Sequence, residues 1–141
     1  TVTWAPTNIT YGHNNRSAQF RLPQNRYCIE NRAADMTMNV YLAFAMTLSA
    51  AVEGIKGNIH PGKPTDQDLY EMSENEFKKL GIKRLPRNLL MAIEALKKDK
   101  LSDDVLGPVM KKSFLAYKND EWERYHQSVT DWEVKEYLRL Y

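Results

Sequence analysis

Two rhythms of apolar and polar positions divide the sequence near residue 36. Before it, polar and apolar side chains alternate with the period of two expected of half-buried strands, over residues 8–11, 17–22 and 27–32. Gly12-His13-Asn14-Asn15 and residues 23–26 supply turn chemistry between them, the first tolerant of positive φ. After residue 36 the apolar positions recur every three or four residues, as on helices. Asn39 caps a helix running to about Ile55, stopped by Gly54 and Gly57. Its Leu42, Ala45, Met46, Leu48, Ala50 and Val52 leave little polar surface, which predicts a buried helix. Residues 57–69, with Pro61, Gly62 and Pro64, predict an irregular loop. Ser73-Glu74-Asn75-Glu76 has capping-box spacing and opens a short helix ending near Leu80-Gly81. Leu89, Ile93 and Leu96 form the stripe of a helix over residues 87–98, and Ser102 is expected to cap a turn interrupted at Gly107-Pro108. Phe114, Tyr117, Trp122 and Tyr125 predict an amphipathic helix over residues 109–127, and Thr130-Asp131-Trp132-Glu133 caps a final one. The predicted fold class is therefore α+β: about three antiparallel N-terminal strands (residues 1–36), then five to six helices (residues 37–141).

Length and composition fit this picture without naming a function. A chain of 141 residues, 43% hydrophobic and 27% charged, is one domain's worth and holds enough apolar surface for a core. Its 20 Lys+Arg nearly balance 18 Asp+Glu, and the signs are interspersed, so no basic stripe for nucleic acid forms. The single cysteine, Cys28, excludes an internal disulfide and fits a reducing compartment. The longest apolar run, residues 40–52, is too short to span a bilayer, and no basic region precedes an apolar run at the N-terminus. These features predict a soluble, cytoplasmic protein without nucleic-acid or membrane partners.

Self-sufficient catalytic signatures are absent from the sequence: no Gly-rich phosphate loop, no paired-histidine motif and no nucleophile elbow. His13, His60 and His126 lie far apart, in turn, loop and helix contexts that do not suggest a metal site. Cys28 has no activating partner and reads as a small half-buried strand residue, and the aromatic residues of the last helices read as core or interface. One cluster remains. On the strand 27–32, Glu30 and Arg32 share a face, most simply a solvated one with a cross-strand ion pair. Arg16 and Arg21 stand on the preceding segments, joined by short turns. Three guanidiniums near one carboxylate suit a polyphosphate, with the carboxylate holding a bridging divalent cation.

The motifs resemble those of a family. The run Ala5-Pro6, Tyr11, Asn15-Arg16-Ser17-Ala18 and Arg21-Leu22-Pro23 is similar to the A-P…Y…N-R-S-A…R-I-P segment of glutamine synthetases. Ile29-Glu30-Asn31-Arg32 resembles the family's I-E-x-R strand. Asn39-Val40-Tyr41-Leu42-Ala43-Phe44-Ala45 resembles its N-P-Y-L-A-F-A helix start, with Val40 replacing proline. Ile59-His60-Pro61-Gly62 and Asp68-Leu69-Tyr70-Glu71 match the loop that follows. The resemblance implies ATP-dependent condensation of glutamate with ammonia through γ-glutamyl phosphate, with Mg2+ or Mn2+. It implies that Arg16 and Arg21 contact the nucleotide phosphates and the transferred phosphoryl group. Glu30 would ligate the metal, and Arg32 would hold the γ-carboxylate or acyl phosphate, roles that suit a reaction catalysed by positioning and charge. Tyr70 aligns with a tyrosine adenylylated in some bacterial members and reads here as a loop tyrosine without that role.

The sequence also departs from the family. Where an arginine commonly stands two positions before the metal-binding glutamate, this chain has Cys28, with Arg26 two residues earlier, so one nucleotide contact is lost or displaced. Before Ala5-Pro6 the ammonia-using enzymes carry a glutamate that helps bind ammonium, and here Trp4 stands instead. An apolar wall in place of an anion suits an alkylamine better than ammonium, making a γ-glutamyl alkylamide synthetase the alternative reading. The family's other metal ligands, its glutamate-binding loop and its N-terminal domain lie upstream of the matched part, and its sites form between subunits of homo-oligomeric rings. The chain is therefore expected to be a piece of a longer ligase, weak in ATP binding and inactive by itself. A non-catalytic assembly module of the same fold is the reading from a different class.

Overall fold

The computed structural model describes residues 5–138, which fall into two compact units divided after Arg87. In the first unit, β1 (Asn8–Ile9) and β2 (Tyr11–His13) are separated by Thr10 alone, followed by β3 (Phe20–Leu22) and β4 (Glu30–Asn31). The predicted turn begins later than expected, because Gly12 and His13 belong to β2 and the positive φ, 52°, falls on Asn14. β3 pairs with β4 antiparallel but with β2 parallel, so this three-stranded sheet is mixed, not antiparallel throughout as expected. β1 pairs elsewhere, antiparallel with β5 (Lys83–Arg84), a strand within the stretch predicted to be helical. The strands expected over 17–22 and 27–32 shrink to β3 and β4, since alternation runs past the backbone that finds a partner.

Gly12 sets how the loop 57–69 lies on the sheet. Thr65 N–H donates to the Tyr11 carbonyl at 2.8 Å, and a Cβ on Gly12 would stand 2.3 Å from the Thr65 carbonyl oxygen. Only a residue without a side chain admits that approach. Below the loop, Ala18, Leu69 and Phe77 form the buried cluster of this unit, with Met72 and Ile82 packed on it.

α1 (Val40–Lys56) begins where Asn39 Oδ1 accepts the Tyr41 and Leu42 amides and ends at Gly57. The expectation of a buried helix is not met: none of its residues is buried, and Tyr41, Phe44, Leu48 and Ile55 are exposed. Its composition records an apolar surface, and the described residues do not cover it. α2 (Glu74–Leu80) carries the predicted capping box, Ser73 with Glu76, and stops at Gly81 in the left-handed region, φ 67°.

The second unit holds α3 (Leu89–Lys98), α4 (Lys100–His126) and α5 (Asp131–Tyr137). α3 starts two residues later than predicted, because Asn88 caps it through the Met91 amide. Asp99, not Ser102, caps α4: its carboxylate accepts the Ser102 amide at 2.8 Å, while the buried Ser102 hydroxyl donates to the Asp99 carbonyl. α4 is broken at Gly107, whose φ of 69° and ψ of 166° are not helical, just before Pro108 as the sequence indicates. Lys111 is buried in the α3–α4 corner and donates to the Asp99 carbonyl at 2.9 Å and to Asp103 at 2.6 Å. Of the aromatic residues on α4 expected to be core or interface, Phe114 and Trp122 are half-buried, whereas Tyr117 and Tyr125 are exposed. Thr130 and Glu133 form the second predicted capping box. No described helix is long and apolar enough to cross a membrane.

Candidate functional site

The segment between β2 and β3 is held by two short polar side chains flanking Arg16. Asn15 Oδ1 accepts the Ser17 amide at 2.9 Å and the Ser17 hydroxyl at 2.7 Å. Its Nδ2 donates to the carbonyls of Thr65 and Gln67, at 2.7 and 2.8 Å, and Ser17 Oγ accepts the Leu69 amide at 2.9 Å. The loop 57–69 is thereby tied to this segment from both sides of Arg16, which stays exposed and lines a cavity of about 480 Å3 with His13, Gln24, Asp66 and Tyr70. Sequence reasoning named Arg16 and missed Asn15 and Ser17 as the groups that place it. The available signal was the habit of Asn and Ser of bonding to nearby backbone.

Arg21 and Glu30 meet because the β3–β4 register sets them opposite one another. Arg21 Nη1 donates to both carboxylate oxygens, at 3.1 and 3.0 Å, and Nη2 donates to Asn14 Oδ1. Arg26, four residues before Glu30, donates to the same carboxylate through Nη2. The Arg21 hydrogen bond chiefly holds the Glu30 carboxyl below its ordinary range; burial opposes this, and the charges of Arg21 and Arg26 add to it. The side chains of Arg21 and Glu30 are only 14% and 24% exposed. Arg21 Nε is buried without an acceptor among the described residues, a feature that in native proteins calls for an explanation such as a held functional group.

Arg32 lies just past β4 and is half-buried. Its Nε donates to the Arg16 carbonyl at 2.9 Å, and its amide donates to the Gln19 carbonyl at 2.8 Å. Tyr70 donates its hydroxyl to the Ala5 carbonyl at 2.9 Å. Burial pushes that phenol's pKa up, partly offset by the Arg32 charge. The predicted cluster thus assembles as two couples, Arg21 with Glu30 and Arg32 with the Arg16 backbone. Asn14, which touches Arg21 and lines the cavity, and Tyr70, which lines it and feels Arg32, connect them. Trp4 lies outside the described residues. Cys28 is exposed and outside β4, not a half-buried strand residue, because the chain before Glu30 has no pairing strand.

The residues present fit phosphate oxygens better than a metal centre. Guanidiniums outnumber the carboxylate, and arginine suits polyphosphate recognition by forked donors. For a divalent cation the cluster offers Glu30, both of whose oxygens accept from arginines, and no group of three or more His, Cys, Asp or Glu that could hold a metal exists among the described residues. Glu30 is the one carboxylate this cluster offers a cation, too few for a metal site among the described residues.

Comparison with known proteins identifies the family. Residues 1–137 match the family described as "Glutamine synthetase, catalytic domain". The chain is 43% identical over 140 residues to the glutamate–methylamine ligase of Methyloversatilis universalis, covering 99% of this chain and 31% of that protein. It is 40% identical over 137 residues to the glutamine synthetase of Methanocaldococcus jannaschii, covering 95% of this chain and 30% of that protein. A solved structure titled "GmaS/ADP complex-Conformation 1" superposes with a TM-score of 0.84 at 35% identity, covering 96% of this chain and 30% of that one. The chain spans less than a third of the length of these relatives. The order of its motifs, the α+β architecture and the matched span lead to one conclusion: the chain belongs to the glutamine synthetase family, as part of its catalytic domain.

Proposed function

We propose that this chain is the C-terminal part of the catalytic domain of an ATP-dependent glutamate–amine ligase that works through γ-glutamyl phosphate. The observation that carries the reading is the Arg21–Glu30 couple, a largely covered carboxylate gripped by a guanidinium that is itself tied to Asn14 at the cavity edge. A magnesium or manganese ion, when bound, would neutralise phosphate charge and favour phosphoryl transfer. Glu30 would supply one of its ligands. Arg16 and Arg21 hold phosphate oxygens of ATP and of the transferred group, so that charge developing on the equatorial oxygens meets fixed donors. Arg32 holds the glutamate γ-carboxylate and then the acyl phosphate, whose carbonyl carbon the amine attacks as phosphate leaves. The 141-residue chain alone, with one metal ligand, turns over no substrate.

The amine is an alkylamine of about the size of methylamine. Trp4 in place of a glutamate supports this, since an apolar wall accommodates a methyl group and offers no counter-charge for ammonium. The similarity to a glutamate–methylamine ligase supports it also. In the full-length protein, Glu30→Gln should lower kcat/KM by about a hundredfold or more, equivalent to roughly 3 kcal/mol of transition-state stabilisation. Intact oligomers without turnover in either form would assign a non-catalytic assembly role instead. Rates with ammonia, methylamine and ethylamine test the amine, and a clear preference for ammonia would overturn that assignment.

A further inference from the structure

Attack on an acyl phosphate needs an amine nitrogen with a free electron pair, and an alkylamine in neutral water, like a lysine side chain, is almost wholly protonated. Arg16, Arg21, Glu30 and Arg32 hold reactants and take no proton from it. The cavity holds a group that can. His13, on β2, lines it together with Arg16, and its Nδ1 lies 3.2 Å from Asp66 Oδ2. The His13 amide donates to Asp66 Oδ1 at 2.6 Å, and that bond chiefly holds the carboxyl below its ordinary range. An ionised carboxylate beside Nδ1 keeps the ring proton there and leaves the lone pair on Nε2, the tautomer a base requires. The other histidines are engaged elsewhere: His60 Nδ1 accepts the Gly62 amide, and His126 packs on Trp122. Around His13 the other charged or titratable groups are Tyr11, in edge contact with its ring, Arg21, committed to Asn14 and Glu30, and Arg16, Asp68 and Tyr70 of the cavity lining. Asp66 and Asp68 favour an incoming cation and Arg16 an acyl phosphate, so both reactants meet opposite charge in one cavity.

We propose that His13 is the general base for the amine and that Asp66 is the residue that positions it. This inference rests on the ligase reading of the site and adds the proton acceptor that reading lacks. His13 Nε2 takes one proton from the ammonium, and the nitrogen keeps the electron pair of the broken N–H bond. That pair forms the bond to the acyl carbon as the carbon–oxygen bond to phosphate breaks, its electrons leaving with phosphate. The nitrogen then gives a second proton to the departing phosphate, and the imidazolium returns the first to water. The side chains of His13 and Asp66 are 52% and 53% exposed, which leaves that return open.

The test uses the full-length protein and three amines: methylamine and ammonia, both protonated at neutral pH, and hydroxylamine, which is already neutral there. For whichever protonated amine the wild type uses, His13→Ala should lower kcat/KM about a hundredfold relative to hydroxylamine. His13→Asn, which keeps a donor toward Asp66 but has no basic nitrogen, should do the same. Asp66→Asn should shift that ratio about tenfold. The deficit of His13→Ala should shrink as pH rises and free amine accumulates, a change that a merely structural role does not produce. A ratio unchanged in both His13 variants, whether the two rates hold or fall together, overturns the proposal and leaves His13 a tie between β2 and the loop 57–69. Wild-type protein that ligates none of the three amines to glutamate overturns the ligase reading, and the base role with it.

Discussion

The Asn15 side chain makes four hydrogen bonds, two of them to carbonyls 50 and 52 residues away in sequence, and its removal is the sharpest probe of how the site is held. Each such bond contributes about 1 kcal/mol net, which sets a ceiling near 4 kcal/mol for Asn15→Ala. Water can replace the lost donor at the exposed Gln67 carbonyl, lowering the total. Ser17 is 4% exposed, so its amide and hydroxyl are stranded, at a cost of about 1–3 kcal/mol. The expected loss is about 2–4 kcal/mol, a large part of a single domain's stability. Asn15→Asp separates the two halves of the interaction. It keeps the acceptor for Ser17 but turns an oxygen toward the Thr65 and Gln67 carbonyls, so it should destabilise at least as much as Ala despite its near-identical shape. Urea unfolding of the 141-residue chain, read as a shift in midpoint at constant slope, gives the energies. ADP titration of the full-length protein should show weaker binding in both variants, because Arg16 lies between the two anchors. If Asn15→Ala stays within about 0.5 kcal/mol of wild type and Asn15→Asp is no worse, the loop is held by something else and the argument fails.

Two further predictions concern stability. Lys111→Met removes the donor that ties the Asp99 carbonyl to Asp103 in the α3–α4 corner, but leaves Asp103 61% exposed and hydrated, so the cost should be about 1–3 kcal/mol in urea unfolding and not the larger penalty of a buried orphan charge. Asp66, Glu76 and Glu133 are all held below the ordinary carboxylate range, Asp66 chiefly by the His13 amide, Glu76 by the Ser73 hydroxyl and Glu133 by the Thr130 amide. A depressed folded pKa gives stability that is complete above the unfolded value and is lost as pH falls through the folded one. The urea midpoint should therefore fall from about pH 5 downward, and Asp66→Asn, Glu76→Gln and Glu133→Gln should each make that fall shallower. An acid limb unchanged in all three would refute the assignment.

What the sequence made legible was chiefly short-range. Asn39, Ser73 and Thr130 cap their helices as their spacing predicts, because a cap is a bond between a side chain and an amide two or three residues on. The same rule misplaced the start of α4 only by favouring Ser102 over Asp99, two residue types that compete for one task. Strand lengths were less legible. Residues 27–29 alternate as well as 30–31 do, but a strand is a paired backbone, and pairing depends on a neighbour that alternation does not name. The parallel β2–β3 pairing and the partnership of β1 with β5 were hidden for the same reason. α1 marks the limit of the hydrophobic argument. Tyr41, Phe44, Leu48 and Ile55 record a face that is costly to leave in water, yet their pattern does not say which atoms would cover it.

The same division runs through the site. Arg16, Arg21, Glu30 and Arg32 were singled out in the sequence by motif order and residue chemistry. The groups that aim them were not, because Asn15, Ser17 and Gly12 act on Thr65, Gln67 and Leu69 across a gap no local pattern spans. The structure adds a distinction among the arginines themselves. Arg21 is built into the sheet by Glu30 and Asn14, so its removal confounds binding with folding. Arg32 anchors the Arg16 carbonyl and has the same double role. The Arg16 side chain, exposed at the cavity with its neighbours carrying the anchorage, is the arginine of the three whose removal tests the proposed phosphate contact with least disturbance of the fold.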